Sequence, residues 1–205
     1  MQQLFSKSSD WIWMDNAPDV NCYVEFFDTF ETVSSEKIEL LISVEGQYAA
    51  FLNGQYLPST QYPDYPFYKA VQKVVLKNAS TNLRNELVIQ TLYCGVDSHT
   101  TRRETPGLRF EVWQGGKLLC TSGKLTRARM MSCYQSGPMK NITPQLGAGF
   151  VYKKHRENEW NNSVVVNKEC MFVSRPVNEL VLGDEQNAQL VTHGIFTAHD
   201  SGLQQ

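Results

Sequence analysis

The sequence predicts an all-β chain folded as an antiparallel β-sandwich or jelly roll, on three observations. Residues 37–45 (KIELLISVE) set Ile38, Leu40, Ile42 and Val44 at period two, with mostly polar residues opposite, as in a strand with one buried face. Residues 48–57 (YAAFLNGQYL) carry Asn53-Gly54 between apolar runs. Both central residues of a type I′ turn need positive φ, and Asn and Gly tolerate it, so the dipeptide marks a hairpin. Short strand-like runs bounded by turn residues recur without long amphipathic helices between them, which favours facing antiparallel layers.

In chain order, Trp11, Ile12 and Trp13 are expected to anchor a first strand against the core, because large aromatics gain most from burial. Residues 22–32 (CYVEFFDTFET) alternate Val24, Phe26, Asp28 and Phe30 against Tyr23, Glu25, Phe27 and Thr29. Apolar character on both faces predicts a central strand. After the 37–45 strand, Glu45-Gly46 leads into the 48–57 hairpin, and Pro58 ends it, since proline cannot donate to a ladder. Residues 58–68 (PSTQYPDYPFY) hold three prolines and four aromatics. This irregular loop is expected to pack its rings down over a sheet edge; a binding surface is the other reading.

Residues 70–76 and 87–93 (LVIQTLY) are strand runs separated by turn chemistry at 77–82. Residues 95–107 (GVDSHTTRRETPG) form a polar loop of a size that usually serves function or motion. Leu108, Phe110 and Val112 alternate with Arg109, Glu111 and Trp113, and Gly115-Gly116 joins them to residues 117–120 as a second tight hairpin. Residues 121–144 lack long apolar runs. Residues 151–160 (VYKKHRENEW) are the one stretch expected to carry a helical turn, without a clear apolar face. Short strands are expected at 164–166 and 171–173, and beyond Pro176 the alternation is lost.

A chain of 205 residues and 23.4 kDa buries roughly 70% of its unfolded surface, enough for one large β domain or a domain with an appendage. The expected division is a sandwich over 1–165, then over 166–205 a connector and the start of a following β domain, cut off in passing. A formal charge of -2, from 19 basic and 21 acidic residues, gives no reason to expect nucleic acid or an anionic membrane as partner. Five widely spaced cysteines (Cys22, Cys94, Cys120, Cys133, Cys170) include no CxxC pair, so neither a disulfide framework nor a zinc site is signalled. Cys94 and Cys120 read as small core hydrophobes. A reducing, cytoplasmic setting is the expectation, with no basic-then-apolar leader and no membrane-length apolar run.

Four histidines lie far apart without HxH or HExxH spacing, and no GxSxG or glycine-rich phosphate loop is present, so no metal or cofactor is expected. The 95–107 loop is the place where an acid, a base and two guanidinium groups could converge: Asp97, His99, Arg102, Arg103 and Glu104. Hydrolysis of a glycoside would need two carboxyls fixed across a cleft, and Asp64, Asp97 and Glu104 are the loop carboxyls available. Sugar recognition needs aromatic faces beside planar hydrogen-bonding groups. Tyr62, Tyr65 and Tyr68 in one loop and His99, Arg102 and Arg103 in the other are therefore the candidate carbohydrate-binding residues.

Four segments in order resemble the amino-terminal β-sandwich region of bacterial α-L-rhamnosidases: DWIWMDNAPDVNCYVEFFDTFE, YAAFLNGQYL, ASTNLRNELVIQTLYCGVDSHTTRRETPGLRFEVW and NITPQLGAGFVYKKHRENEWNNSVVV. The family similarly opens with Trp-Ile-Trp and an asparagine before an aromatic-rich strand. It continues with a strand ending in an Asn-Gly hairpin, a GxGxH-type loop running into Pro-Gly-Leu, and a tyrosine segment followed by a tryptophan. This chain departs where the family usually has Tyr-Asp-Ala-Arg, with Tyr152-Lys153-Lys154-His155. The resemblance implies a galactose-binding-like jelly roll and an accessory, non-catalytic role. It places the catalytic carboxylates in a downstream α/α barrel that this sequence does not reach, makes downstream domains of the parent chain the expected partners, and makes carbohydrate the expected ligand.

Overall fold

The computed structural model describes residues 4–77, 79, 84–98, 101–139, 141–143, 147–154, 158–178 and 182–194. Among these residues the chain forms strands and no helix: β1 (Ile12–Trp13), β2 (Cys22–Glu31), β3 (Ile38–Val44), β4 (Gln47–Leu52), β5 (Gln55–Leu57), β6 (Tyr68–Val75), β7 (Arg84–Tyr93), β8 (Leu108–Gln114), β9 (Lys117–Thr121), β10 (Arg127–Met130), β11 (Asn141–Thr143), β12 (Gly147–Ala148), β13 (Asn161–Asn162), β14 (Val164–Val165) and β15 (Met171–Ser174).

One sheet runs β14-β1-β8-β3-β6-β15, with β9 also paired to β8; the facing sheet runs β13-β10-β2-β7-β4-β5. Every pairing is antiparallel except β15 on β6, which is parallel. The two main sheets stack their apolar rows on each other: Ile38, Leu40, Ile42, Val44, Leu108, Phe110 and Val112 from the first, and Val24, Phe26, Phe30, Ala50, Leu52, Leu87 and Ile89 from the second. Leu40, Ile42, Leu52 and Leu108 have no exposure, and truncating any of them to Ala would cost about 2–5 kcal/mol. This is an all-β sandwich, as the alternation predicts.

The Asn53-Gly54 hairpin is present, with φ of 51° and 77° and Leu52 opposite Gln55. Just upstream of β4 the chain does something alternation cannot encode. Only Glu45 and Gly46 separate β3 from β4, yet the two strands belong to opposite sheets. Gly46 takes φ of 116°, and a Cβ there would stand 2.2 Å from the Leu92 carbonyl oxygen, so the corner demands glycine on two counts. Glu45 N donates to the Gly107 carbonyl at 2.8 Å, which pins the corner to the end of the 95–107 loop.

Three expectations need correction or completion. The helical turn expected within 151–160 is absent from its described residues; Tyr152 instead forms a bridge with Tyr134 and packs its ring edge-on at 5.3 Å. Without an apolar stripe, no packing holds a solitary helical turn. Within 121–144, β10 pairs fully with β2, its inward row reduced to Ala128 and Met130. The β3 face expected to meet water is partly covered: Ser43 is fully buried and Leu41 half-buried, because the amino-terminal segment lies over this sheet. Glu111, with no exposure, holds that segment by accepting hydrogen bonds from Ser6 N (2.9 Å), Ser6 Oγ (2.6 Å) and Ser9 Oγ (2.6 Å). Of the 77–82 turn, residues 78 and 80–82 lie outside the described residues.

Candidate functional site

The proline-rich loop after β5 is built around Gln61 and Asp64. Val44 N donates to Gln61 Oε1 at 3.0 Å, and Gln61 Nε2 donates to Asp64 Oδ2 (2.9 Å) and the Ala70 carbonyl (3.0 Å). Asp64 also accepts from Ala70 N at 2.7 Å and from Lys69 Nζ at 2.5 Å. Burial pushes the Asp64 carboxyl up, against the pull of the Lys69 ammonium. With donors on both oxygens, Asp64 serves as the loop's internal brace.

That brace lets the rings project. Tyr65 is 65% and Phe67 59% exposed, stacked on each other at 5.8 Å and 13°. Tyr68 meets Phe67 edge-on at 5.2 Å, and its amide donates to the Tyr65 carbonyl at 3.0 Å. The expectation that this loop packs its rings down over a sheet edge is therefore overturned for these three. Tyr62 is the exception: half-buried, it lies under the Arg175 guanidinium at 5.6 Å.

The 95–107 loop bonds mainly to itself. Ser98 N donates to the Thr101 carbonyl (2.9 Å), Thr101 Oγ1 to the Val96 carbonyl (2.9 Å), and Asp97 Oδ1 accepts from Arg103 N (2.9 Å). The Tyr93 hydroxyl donates to the Glu104 carbonyl, and burial pushes the Tyr93 phenol up. Arg102, Arg103 and Glu104 are exposed. His99 lies outside the described residues.

The two loops meet through charges that spacing does not reveal. Lys69 Nζ, 1% exposed, lies 2.5 Å from Asp64 Oδ1 and 3.3 Å from Glu45 Oε2. Lys168 Nζ, 3% exposed, lies 2.9 Å from the same Glu45 oxygen, donates to the Thr105 carbonyl at 3.1 Å and sits over the Trp11 ring at 5.7 Å. The chain Asp64, Lys69, Glu45, Lys168 thus fixes both loops to one corner of the sandwich. Among the described residues, no hydrogen bond, ion pair or ring contact joins Arg102 or Arg103 directly to Tyr62, Tyr65 or Tyr68.

A second concavity lies on the outer face of the sheet that contains β3. It is a groove of about 850 Å³ between residues 4–7 and 174–178, floored by Glu39, Leu41, Val71, Lys73 and Trp113. The Glu39 carboxylate stands 2.7 Å from Lys37 Nζ and 2.9 Å from Lys73 Nζ, and Lys37, then Lys73, hold it below its ordinary range despite partial burial. Gln72, with no exposure and paired across the strands with the core residue Ile42, accepts from Arg175 Nη1 at 2.8 Å, while among the described residues its Nε2 has no acceptor. Among the described residues no group of three His, Cys, Asp or Glu is placed to hold a metal ion. The cysteines are all free.

In sequence, no protein-family model matches this chain, and no curated protein matches it. Solved structures do. The fold is similar to a GH78 family rhamnosidase of Bacillus sp. GL1, with a TM-score of 0.75 and 18% identity over 85% of this chain and 20% of that one. It is similar to an α-L-rhamnosidase from Dictyoglumus thermophilum, with a TM-score of 0.60 and 12% identity over 81% of this chain and 22% of that one. A lectin from Pleurotus ostreatus solved in complex with GalNAc gives a TM-score of 0.52 and 9% identity over 87% of this chain and 50% of that one. The chain spans about a fifth of the length of these two rhamnosidases. At such identities the likeness speaks for architecture alone: this is an all-β sandwich similar in fold to one part of these α-L-rhamnosidases.

Proposed function

We propose that this chain is a non-catalytic accessory sandwich of an α-L-rhamnosidase-like glycoside hydrolase, corresponding to its amino-terminal region, which packs against the catalytic unit and holds carbohydrate at its loop tips. The observation that carries the reading is the coverage: 85% of this chain superposes on one fifth of a rhamnosidase, the relation of a module to a multidomain enzyme. The charges support a non-catalytic role. Among the described residues the buried glutamates are committed, Glu25 to Arg129 at 2.5 Å, Glu45 to Lys69 and Lys168, and Glu111 to four donors, so these three are not free to act as an acid or base. The exposed Tyr65 and Phe67 faces supply the apolar surface that a pyranose ring covers.

Calorimetry with L-rhamnose, rhamnosides and plant-type oligosaccharides tests the binding half. Weak saturable heat is expected, lost in Tyr65→Ala and Arg102→Ala; no heat across the panel removes it. Turnover of an aryl rhamnoside by this chain, abolished by Glu104→Gln, would overturn the non-catalytic half. The same exposed rings favour a second reading, in which they meet a neighbouring domain and no sugar. Concentration-dependent self-association in sedimentation velocity, relieved by Phe67→Ser, would select it.

A further inference from the structure

We propose that the groove on the outer face of the β3-containing sheet is a second saccharide site, and that its ligand carries an anionic group, as a uronate does. The inference rests on the reading of the chain as a carbohydrate-holding module, and it concerns a different surface from the loop tips.

The pairing register places the parts. Glu39 on β3 is the cross-strand partner of Trp113 on β8, so carboxylate and indole share one face as direct neighbours. Trp113 is half-buried, and its Nε1 donates to Glu111 Oε2 at 2.8 Å, which fixes the ring plane. Among the described residues no other ring and no cation packs on it, so its face is available to the C–H groups of a pyranose.

Charge sets the class of sugar. Glu39 gathers Lys37 and Lys73, and the groove walls add Lys7 and Arg175. Two carboxylates, Glu39 and the buried Glu111 beneath Trp113, stand against these four cations, on a chain whose formal charge is -2. The surplus is local, and an anion complements it. Glu39 stays ionised at neutral pH because the two ammonium groups favour its charged form, so it fixes those cations rather than competing as an acid.

The test uses the intact chain labelled with 5-fluorotryptophan, the Trp113 resonance being assigned through Trp113→Phe. Trigalacturonate is expected to shift that resonance saturably. Lys73→Gln should weaken the response about tenfold, as should raising the salt to about 0.5 M, while Lys77→Gln, exposed and off the groove, should not. An equal response to a sulfated disaccharide supports the proposal and assigns the anionic group rather than the carboxylate. A Trp113 resonance silent to both acidic sugars, while rhamnoside heat is still lost in Tyr65→Ala, overturns the groove and leaves the loop-tip reading standing. An equal response to maltotriose overturns the charge argument.

Discussion

Lys168 Nζ lies 2.9 Å from Glu45 Oε2, so a residue from beyond the last inner strand neutralises the carboxylate at the corner where β3 leaves one sheet and β4 enters the other. Lys69 shares that oxygen at 3.3 Å. Removing one member of a buried pair costs about 3–5 kcal/mol, because it strands an uncompensated charge. Glu45→Gln, which leaves Lys168 without its counterion and Lys69 with Asp64 alone, should therefore cost stability of that order, read as a lower urea midpoint at unchanged slope. Lys168→Met should cost less, since Lys69 still faces Glu45.

The same contact bears on where the folded unit stops. The division expected from sequence falls at 165, yet β15 pairs with β6 over four residues, from Met171 on Tyr68 to Ser174 on Val71. A chain ended after residue 165 should unfold at clearly lower urea than one ended after 178. Equal midpoints would place 166–178 outside the cooperative unit.

Two glycines separate conformational strain from collision. Gly54 has φ of 77° with open space where a Cβ would stand, whereas Gly46 has φ of 116° and a carbonyl oxygen 2.2 Å from that position. Gly54→Ala should cost about 1–2 kcal/mol, the left-handed penalty alone. Gly46→Ala should cost more than about 3 kcal/mol or prevent folding, since backbone must also move. Thermal unfolding of the pair checks the ranking.

Acid should erase the contribution of Glu39. Lys37 first, then Lys73, hold its carboxyl below the ordinary value. A carboxyl depressed in the folded state adds stability above its unfolded pKa of about 4.3, and that stability is lost as pH falls through the folded value. The groups are partly exposed, so the gain is a few tenths of a kcal/mol. Glu39→Gln should thus be slightly less stable than the parent at pH 7 and equal to it by pH 3. A gap that persists at pH 3 would mean packing, not charge.

Burial, with Asp19 nearby, pushes the Cys22 thiol up to about 12. At pH 8 it stays protonated and covered, so it should react with a disulfide reagent only as fast as the sandwich opens. Labelling followed by peptide mapping should show Cys22 modified in step with unfolding, and faster native labelling would show that the β2 end breathes locally.

What sequence could and could not reveal follows from the range of each interaction. The row Ile38, Leu40, Ile42, Val44 and the Asn53-Gly54 turn are local, and both are as expected. The partition of β3 and β4 into different sheets is not local; it depends on Gly46 meeting Leu92, far along the chain. β10 is illegible in sequence because four residues with Ala128 as their most buried member make too faint a row. The loop aromatics were visible, but their exposure depends on Gln61 and Asp64 bracing the loop. Glu45, Lys69 and Lys168 come from three distant stretches, and no spacing rule connects them.

The pairing of Ile12 with Val165 also fixes an order of events during synthesis. Ile12 meets Leu108 on its other side, so neither neighbour of β1 has been made when β1 leaves the ribosome. Pairings of such long sequence separation form slowly, and until they do Trp11, Ile12 and Trp13 remain an uncovered apolar segment. The nascent polypeptide must keep this segment from sticking elsewhere until residues 108 and 165 have been made, which makes residues 11–13 a natural place for a chaperone to hold.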